Sequence, residues 1–333
     1  MSKEQRDALD TLFRTGPLDI GGDHLTQREV FTRMLTSRPL PDDVVVEPRT
    51  LGGIPALEIG IDGVTPDGTL LWFHGGFYVL GSARTSAALA ANVARRTGTR
   101  VVSVDYRLAP EHPYPAALDD ALAAYRALLD AAGGGFSRSA GRWATGAVVG
   151  ESAGAGLAAA MLVAARDQGL PMPAAGVLFS PYADLSLSGA SMTAKAAVDP
   201  SFTAAAIAVR AKDYLGPADA SDPLVSPVFA DLRGLPPLLV QAGSHEVLLD
   251  DAVRLASRAA ADDVPVTLDV TPGVPHLFQA FAAMLDEGDA ALRRVTDFLA
   301  RTLGSTALGP GGGRGPRSGG KHPLPEGGRH HRR

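Results

Sequence analysis

The 333-residue sequence contains no cysteine. That excludes thiol nucleophiles, cysteine-built zinc sites and disulfide staples, and it suits a reducing cytoplasm. Residues 1–14 are polar and amphipathic and lack an apolar core segment, so no secretory leader is expected. No window approaches 18 uninterrupted apolar residues, so no membrane span is expected either. There is no internal repeat. Positive charge is outnumbered by negative outside the C-terminal tail. The formal net charge is -5, yet the last 29 residues, from Ser305, carry six Lys/Arg against one Glu. The body therefore sits near −10, which disfavours nucleic acid as its partner. The tail is rich in glycine, proline and basic residues and has almost nothing to bury. It is expected to be disordered, as a solvated appendage or alternatively a polyanion-binding arm.

What is present is a regular alternation. Residues 4–38 hold two helical patterns, with Leu9, Leu12 and Phe13 on one face and Val30, Phe31, Met34 and Leu35 on another. Two strands, 44–46 and 54–59, flank Gly52-Gly53 and read as a hairpin. Buried strands are then predicted at 69–73, 101–104, 147–149, 177–179, 238–240 and 266–270. Helices are predicted at about 84–96, 116–132, 153–168, 247–261 and 278–303. Such alternation points to a parallel α/β sheet covered on both faces, with ligands beyond the carboxyl ends of the strands. Residues 185–226 lose the pattern apart from one helical stretch, 203–214, and read as an excursion above the sheet. A chain of this length can bury its core without a metal or disulfide.

Two strand ends carry chemistry. Gly150-Glu151-Ser152-Ala153-Gly154 lies between an apolar strand and an alanine-rich helix, the setting of a nucleophile elbow. The turn leaves no room for side chains two residues either side of the serine. The alternative is a glycine-rich turn with an incidental serine. The second end is His74-Gly75-Gly76-Phe77. If Ser152 attacks a carbonyl, negative charge builds on its oxygen, and each fixed N–H donor aimed there is worth roughly 3 kcal/mol of barrier. The N–H groups of Gly75, Gly76 and Ala153 are the candidate oxyanion donors.

Leu71-Trp72-Phe73-His74-Gly75-Gly76, Asp105 to Ala116 (DYRLAPEHPYPA) and Gly150 to Gly154 resemble, in order and spacing, three signature stretches of the hormone-sensitive-lipase family of α/β-hydrolases. The resemblance covers about residues 40–300. It implies an α/β-hydrolase fold: a mostly parallel central sheet with helices on both faces and a helical cap. The division expected is a cap segment at 1–40, a catalytic domain at 41–304 with a cap excursion at about 190–225, and the tail at 305–333. The family pattern at 74–77 is His-Gly-Gly-Gly, so Phe77 departs from it. Its ring must turn away into the acyl pocket, or the oxyanion site is altered.

In this fold the order is serine, acid, histidine. Of eight histidines, three precede Ser152 and three lie in the tail, leaving His245 and His276. His276, between the last strand and the last helix, matches the family's base. For the acid, aligning on the downstream acidic pair selects Glu246, while aligning on the upstream glycine selects His245, which cannot serve. Asp250 is the runner-up. Asp250 and Asp251 are also explained as first-turn charges of a helix. Asp184 and the 105–116 stretch read as structural. No metal-ligand pattern is found.

The resemblance implies a serine hydrolase that cleaves carboxylic esters or lactones through an acyl-enzyme, with no cofactor and a small-molecule substrate. Phe77, Tyr78 and Phe278 crowd the expected pocket and favour short or medium acyl groups or a compact lactone. The wording at 223–235 and 243–251 is most similar to the bacterial branch that includes monoterpene lactone hydrolases. The alternatives are an amidase or deacetylase using the same triad, and a non-catalytic ligand-binding member of the fold. Oligomeric state stays open, a homo-oligomer included.

Overall fold

Gly52 and Gly53 both adopt positive φ, 57° and 87°, a two-residue hairpin geometry that glycine enters without steric cost. They join β1 (Val44–Leu51) to β2 (Ile54–Ile61), paired from Val44↔Ile61 to Leu51↔Ile54. Two helices precede this hairpin, α1 (Lys3–Arg14) and α2 (His24–Thr36). After it come β3 (Thr69–Phe73), α3 (Ala87–Thr97), β4 (Arg100–Val104), α4 (Ala116–Ala131) and the short β5 (Phe136–Ser137). Then follow β6 (Arg142–Glu151), α5 (Ala153–Asp167), β7 (Met172–Phe179), α6 (Ser191–Ala194) and α7 (Ala204–Leu215). The chain ends in β8 (Leu238–Gly243), α8 (Leu249–Ala261), β9 (Val266–Thr271) and α9 (Asp286–Thr302). This computed structural model describes residues 3–131, 136–137 and 142–303; the expectation for the tail at 305–333 lies outside the described residues.

The sheet runs β1-β2-β4-β3-β6-β7-β8-β9, with β5 paired to β6 alone. β2 is antiparallel to both neighbours, and every pairing from β4 to β9 along that order is parallel. Successive strand residues point to opposite faces, so each strand feeds two cores. Leu71, Phe73, Val148, Leu178 and Val240 join one cluster with α4, α5 and α8. Leu70, Trp72, Val149, Val177 and Leu239 join another with α3 and α9. Burial on both faces is why β3 and β8 are buried along their whole length, with the apolar runs 70–73 and 238–240 within them.

From β3 the chain steps outward to β4, then returns to β6 on the other side of β3. The strand order reverses there, leaving a crevice beyond the carboxyl ends of β3 and β6, where such sheets bind ligands. His74 and Ser152 stand at those two ends.

The last helix differs from its expected span. Residues 278–281 form a single 3-10 turn, and α9 begins at Asp286. The chain doubles back there so that Gly288 lies against the Phe278 carbonyl, where a Cβ would come within 2.8 Å. The acidic first turn of α9, Asp286, Glu287 and Asp289, suits a helix start.

α1 and α2 are tied to the body. Leu9 is fully buried with Val274, Phe278, Leu285 and Ala291, and Phe13 meets Phe281 edge-on at 5.3 Å. Asp23 caps α2 through Thr26 N–H (2.9 Å). From α2, Arg28 donates to the Val79 and Ala109 carbonyls (2.7 and 2.8 Å) and to both oxygens of Glu111 (2.7 Å each).

Candidate active site

Ser152 adopts φ 55°, ψ −119° between β6 and α5. An L-residue is strained there, by an amount of order 1–3 kcal/mol. The surroundings enforce it. A Cβ on Gly150 would sit 2.2 Å from the Gly154 carbonyl oxygen, and one on Gly154 would sit 2.0 Å from the Phe73 carbonyl oxygen. Ser152 N–H donates to Phe179 O (2.8 Å) and its carbonyl accepts from Tyr182 N–H (3.0 Å). The backbone is thus held on both sides, and the side chain is 2% exposed.

The candidate acid and base come from loops after β8 and β9, two and three strands away from β6. The β9 loop swings back across β8: the Val274 carbonyl crosses so close to Gly243 that a Cβ there would meet it at 2.2 Å. His245 N–H donates to that carbonyl (3.1 Å). His276 Nδ1 then lies 2.6 Å from Glu246 Oε2. The tautomer of a neutral imidazole that donates Nδ1–H to this carboxylate carries its lone pair on Nε2. Nε2 is buried and has no hydrogen-bond partner. Glu246 Oε1 accepts from Gly243 N–H (2.6 Å) and from the Ser180 hydroxyl (3.0 Å). Ser180 Oγ in turn accepts from Leu277 N–H (3.2 Å). Ser180, at the end of β7, therefore seats both loops one strand from Ser152. The sequence reading missed it, although Ser180-Pro181 at a strand end was a visible signal.

Asp250, the runner-up acid, faces elsewhere: it accepts from Ser191 N–H (2.9 Å) on the α6 side. Asp251 is buried and accepts from Ala183 and Asp184 N–H (2.8 and 2.9 Å). Burial raises its pKa well above the ordinary carboxylate value. Asp184 binds Ser186, Ser188 and Arg254, a structural role as expected.

On the oxyanion side the structure corrects one assignment. Gly75 N–H points into the protein and donates to Glu151 Oε1 (3.4 Å), so it is spoken for. Gly75 itself lies against Ser152, where a Cβ would come 3.2 Å from the serine Cβ. The N–H groups of Gly76 and Phe77 make no hydrogen bond among the described residues, and Ala153 N–H opens α5, where first-turn amides have no partner in the helix. Glu151 also accepts from the Ser86 hydroxyl, and burial raises its pKa. His74 is buried, which lowers its pKa to about 4. It stays neutral, 2.8 Å from the Gly75 carbonyl and stacked on Tyr106 at 4.1 Å.

Phe77 takes φ 56°, a conformation glycine favours, and its ring turns away from the backbone amides to meet Tyr182 (5.5 Å) and Phe202 (4.9 Å) edge-on. Two of the expected pocket residues are elsewhere. Tyr78 stacks on Tyr214 at 3.8 Å, with its hydroxyl against Gly156 of α5. Phe278 is fully buried in the cluster around Leu9. Aromatic type and nearness in sequence suggested both, but long-range packing partners decide where each ring sits. Among the described residues, no group of three or more His, Asp and Glu is arranged to hold a metal.

A family model described as the alpha/beta hydrolase fold matches residues 70–280. A solved esterase of the bacterial hormone-sensitive lipase family superposes with a TM-score of 0.84 at 40% identity, covering 91% of this chain and 99% of that one. The chain belongs to the hormone-sensitive-lipase family of α/β-hydrolases. This hydrolase is 42% identical over 236 residues to an acetyl-hydrolase of Streptomyces hygroscopicus, covering 71% of this chain and 76% of that protein. It is 36% identical over 273 residues to an esterase of Acinetobacter venetianus, covering 81% and 87% respectively. The hydrolase is accordingly a serine-type carboxylic ester hydrolase. No helix among its described residues is long and apolar enough to cross a membrane.

Proposed function

We propose that Ser152, His276 and Glu246 form the catalytic triad and that the substrates are esters of short acyl groups. The supporting observations are the buried Glu246–His276 pair, whose Nε2 has no hydrogen-bond partner among the described residues, and a serine held in a strained turn at the end of β6. Ser152 Oγ attacks the ester carbonyl carbon as Nε2 takes its proton. The oxyanion forms against the N–H groups of Gly76, Phe77 and Ala153. Its collapse breaks the C–O bond, and His276 gives the proton to the leaving alcohol. Water, deprotonated by the same nitrogen, then releases the acid. Glu246 holds the imidazole in the required tautomer and stabilises its charged form. No hydrogen bond joins Ser152 Oγ to His276 in the free enzyme, and such contacts commonly tighten when substrate binds.

Residues 1–40 and 190–225 act as the cap. The pairing of the Phe77 and Phe202 rings over this site and the name of the Streptomyces relative both support acetyl and other short groups, with compact lactones as the second class. Zero cysteine supports a cytoplasmic setting.

A serine-reactive phosphonate probe tests the assignment: it labels the wild type and fails to label Ser152→Ala. Folded wild-type protein that resists labelling would refute the triad and favour a non-catalytic binder. A screen of p-nitrophenyl esters of increasing length, with lactones and a matched acetyl anilide, then separates ester from amide chemistry.

A further inference from the structure

Between α6 and α7 the chain makes one turn that no sequence pattern assigns to the site. Asp199, 5% exposed, lies at its centre. Its Oδ1 accepts from Ser201 N–H (2.7 Å) and Phe202 N–H (3.0 Å), closing the turn on itself. Its Oδ2 reaches across to accept from Val247 N–H (2.7 Å), the residue after Glu246. One carboxylate thus joins the excursion above the sheet to the loop that carries the acid. The turn delivers the Phe202 ring edge-on to Phe77 (4.9 Å, 87°) and to His276 (5.0 Å, 70°). Ser152 and His276 are 2% and 4% exposed, whereas Phe202 is only half-buried. The Phe202 ring therefore packs on both His276 and Phe77 while keeping part of its surface exposed.

We propose that Phe202 sets the acyl-length limit of this hydrolase, and that Asp199 is the positioning residue that seats it by clamping its turn to the Glu246 loop. This rests on the reading of Ser152 and His276 as nucleophile and base. An acyl group on Ser152, with its oxygen at the Gly76 and Phe77 amides and His276 opposite, runs into the edge of the Phe202 ring within a few carbons. Phe77 cannot yield, because its ring is wedged between Tyr182 and Phe202. Phe202, half-buried, is the ring the acyl chain meets, and Asp199 fixes where it stands by holding its turn to the acid loop. Asp199 is itself desolvated, which raises its pKa above the ordinary carboxylate value, so its hold depends on its three N–H partners and not on a cation.

The test measures kcat and KM for p-nitrophenyl acetate, butyrate and octanoate in the wild type, Phe202→Ala, Phe202→Leu, Asp199→Asn and Asp199→Ala, with a thermal melt of each. Phe202→Ala is expected to raise the octanoate-to-acetate ratio of kcat/KM about tenfold or more, chiefly through a lower octanoate KM, with Phe202→Leu in between. Asp199→Asn keeps the oxygen that closes the turn but puts an NH2 donor against Val247 N–H. It is expected to shift the ratio in the same direction while still melting cooperatively; it also decides the matter if Asp199→Ala fails to fold. An unchanged ratio in folded Phe202→Ala would overturn the role of Phe202. A shift there without one in folded Asp199→Asn would overturn the clamp. Phosphonate labelling of each variant keeps the readings apart, since an unlabelled wild type would instead sink the triad.

Discussion

At the scale of single residues, identity of charge matters less than what each charge touches. Glu246 and Asp250 are four residues apart and chemically alike, yet Glu246 meets His276 at 2.6 Å while Asp250 binds Ser191 N–H. Glu246→Ala is therefore expected to lower kcat by about 10^3- to 10^4-fold. Asp250→Ala should change it only a few-fold; steady-state kinetics on one ester decides, and the reverse ranking would refute the assignment. Phe77 poses a competition of magnitudes. Its φ of 56° costs about 1–2 kcal/mol relative to glycine, but its ring is almost fully buried, and removing such a ring costs about 3–5 kcal/mol. Phe77→Gly should thus destabilise by about 2 kcal/mol in urea unfolding despite restoring the family's glycine. A stabilised variant would show the ring to be poorly packed.

At the scale of elements, the site depends on helices remote from it in sequence. α1 covers the loop that delivers His276: Leu9 packs on Val274, two residues before the histidine, and Arg6 lies over Gly273. Leu9→Ala should cost about 3 kcal/mol, and ester turnover should fail on warming before the global melt, as the His276 loop loosens first. Coincident loss of activity and of circular dichroism would argue that α1 is only part of the general core. The hairpin turn was legible because local chemistry fixes it: Gly52-Gly53 leaves few other turns. The break between residue 278 and α9 was not legible, because Gly288 packs against a carbonyl ten residues earlier and nothing in the local pattern announces it.

At the scale of the whole molecule, buried acids set how stability follows pH. Burial raises the Asp251 pKa. Above pH 3.8 the unfolded chain releases that proton while the folded chain retains it, so stability is lost as pH rises toward the folded pKa. Asp251→Asn has no such titration. Its melting temperature relative to the wild type should rise from pH 4 to pH 8, and a flat or falling difference would show that the carboxyl ionises freely in the fold. Glu111 acts with the opposite sign. Hydrogen bonding from Arg28 lowers its pKa to about 2, so its contribution is present above pH 4.5 and is lost as pH falls toward 2. That contribution is small, because the Glu111 side chain is 45% exposed and solvent screens it.

Taken alone, the sequence determined the alternation of strands and helices, the elbow at Ser152 and the glycines around it, because each depends on contacts within a few residues or on a two-residue or 3.6-residue period. Order along the chain narrowed the base to His245 and His276, and the family resemblance selected His276. The tertiary structure alone decided that Gly75 N–H faces Glu151, that Tyr78 and Phe278 leave the site, and that Ser180, Asp199 and Phe202 enter its surroundings. Those outcomes depend on which strand ends become neighbours and on how loops cross them, and pairings between residues dozens of positions apart leave no periodic mark in the sequence.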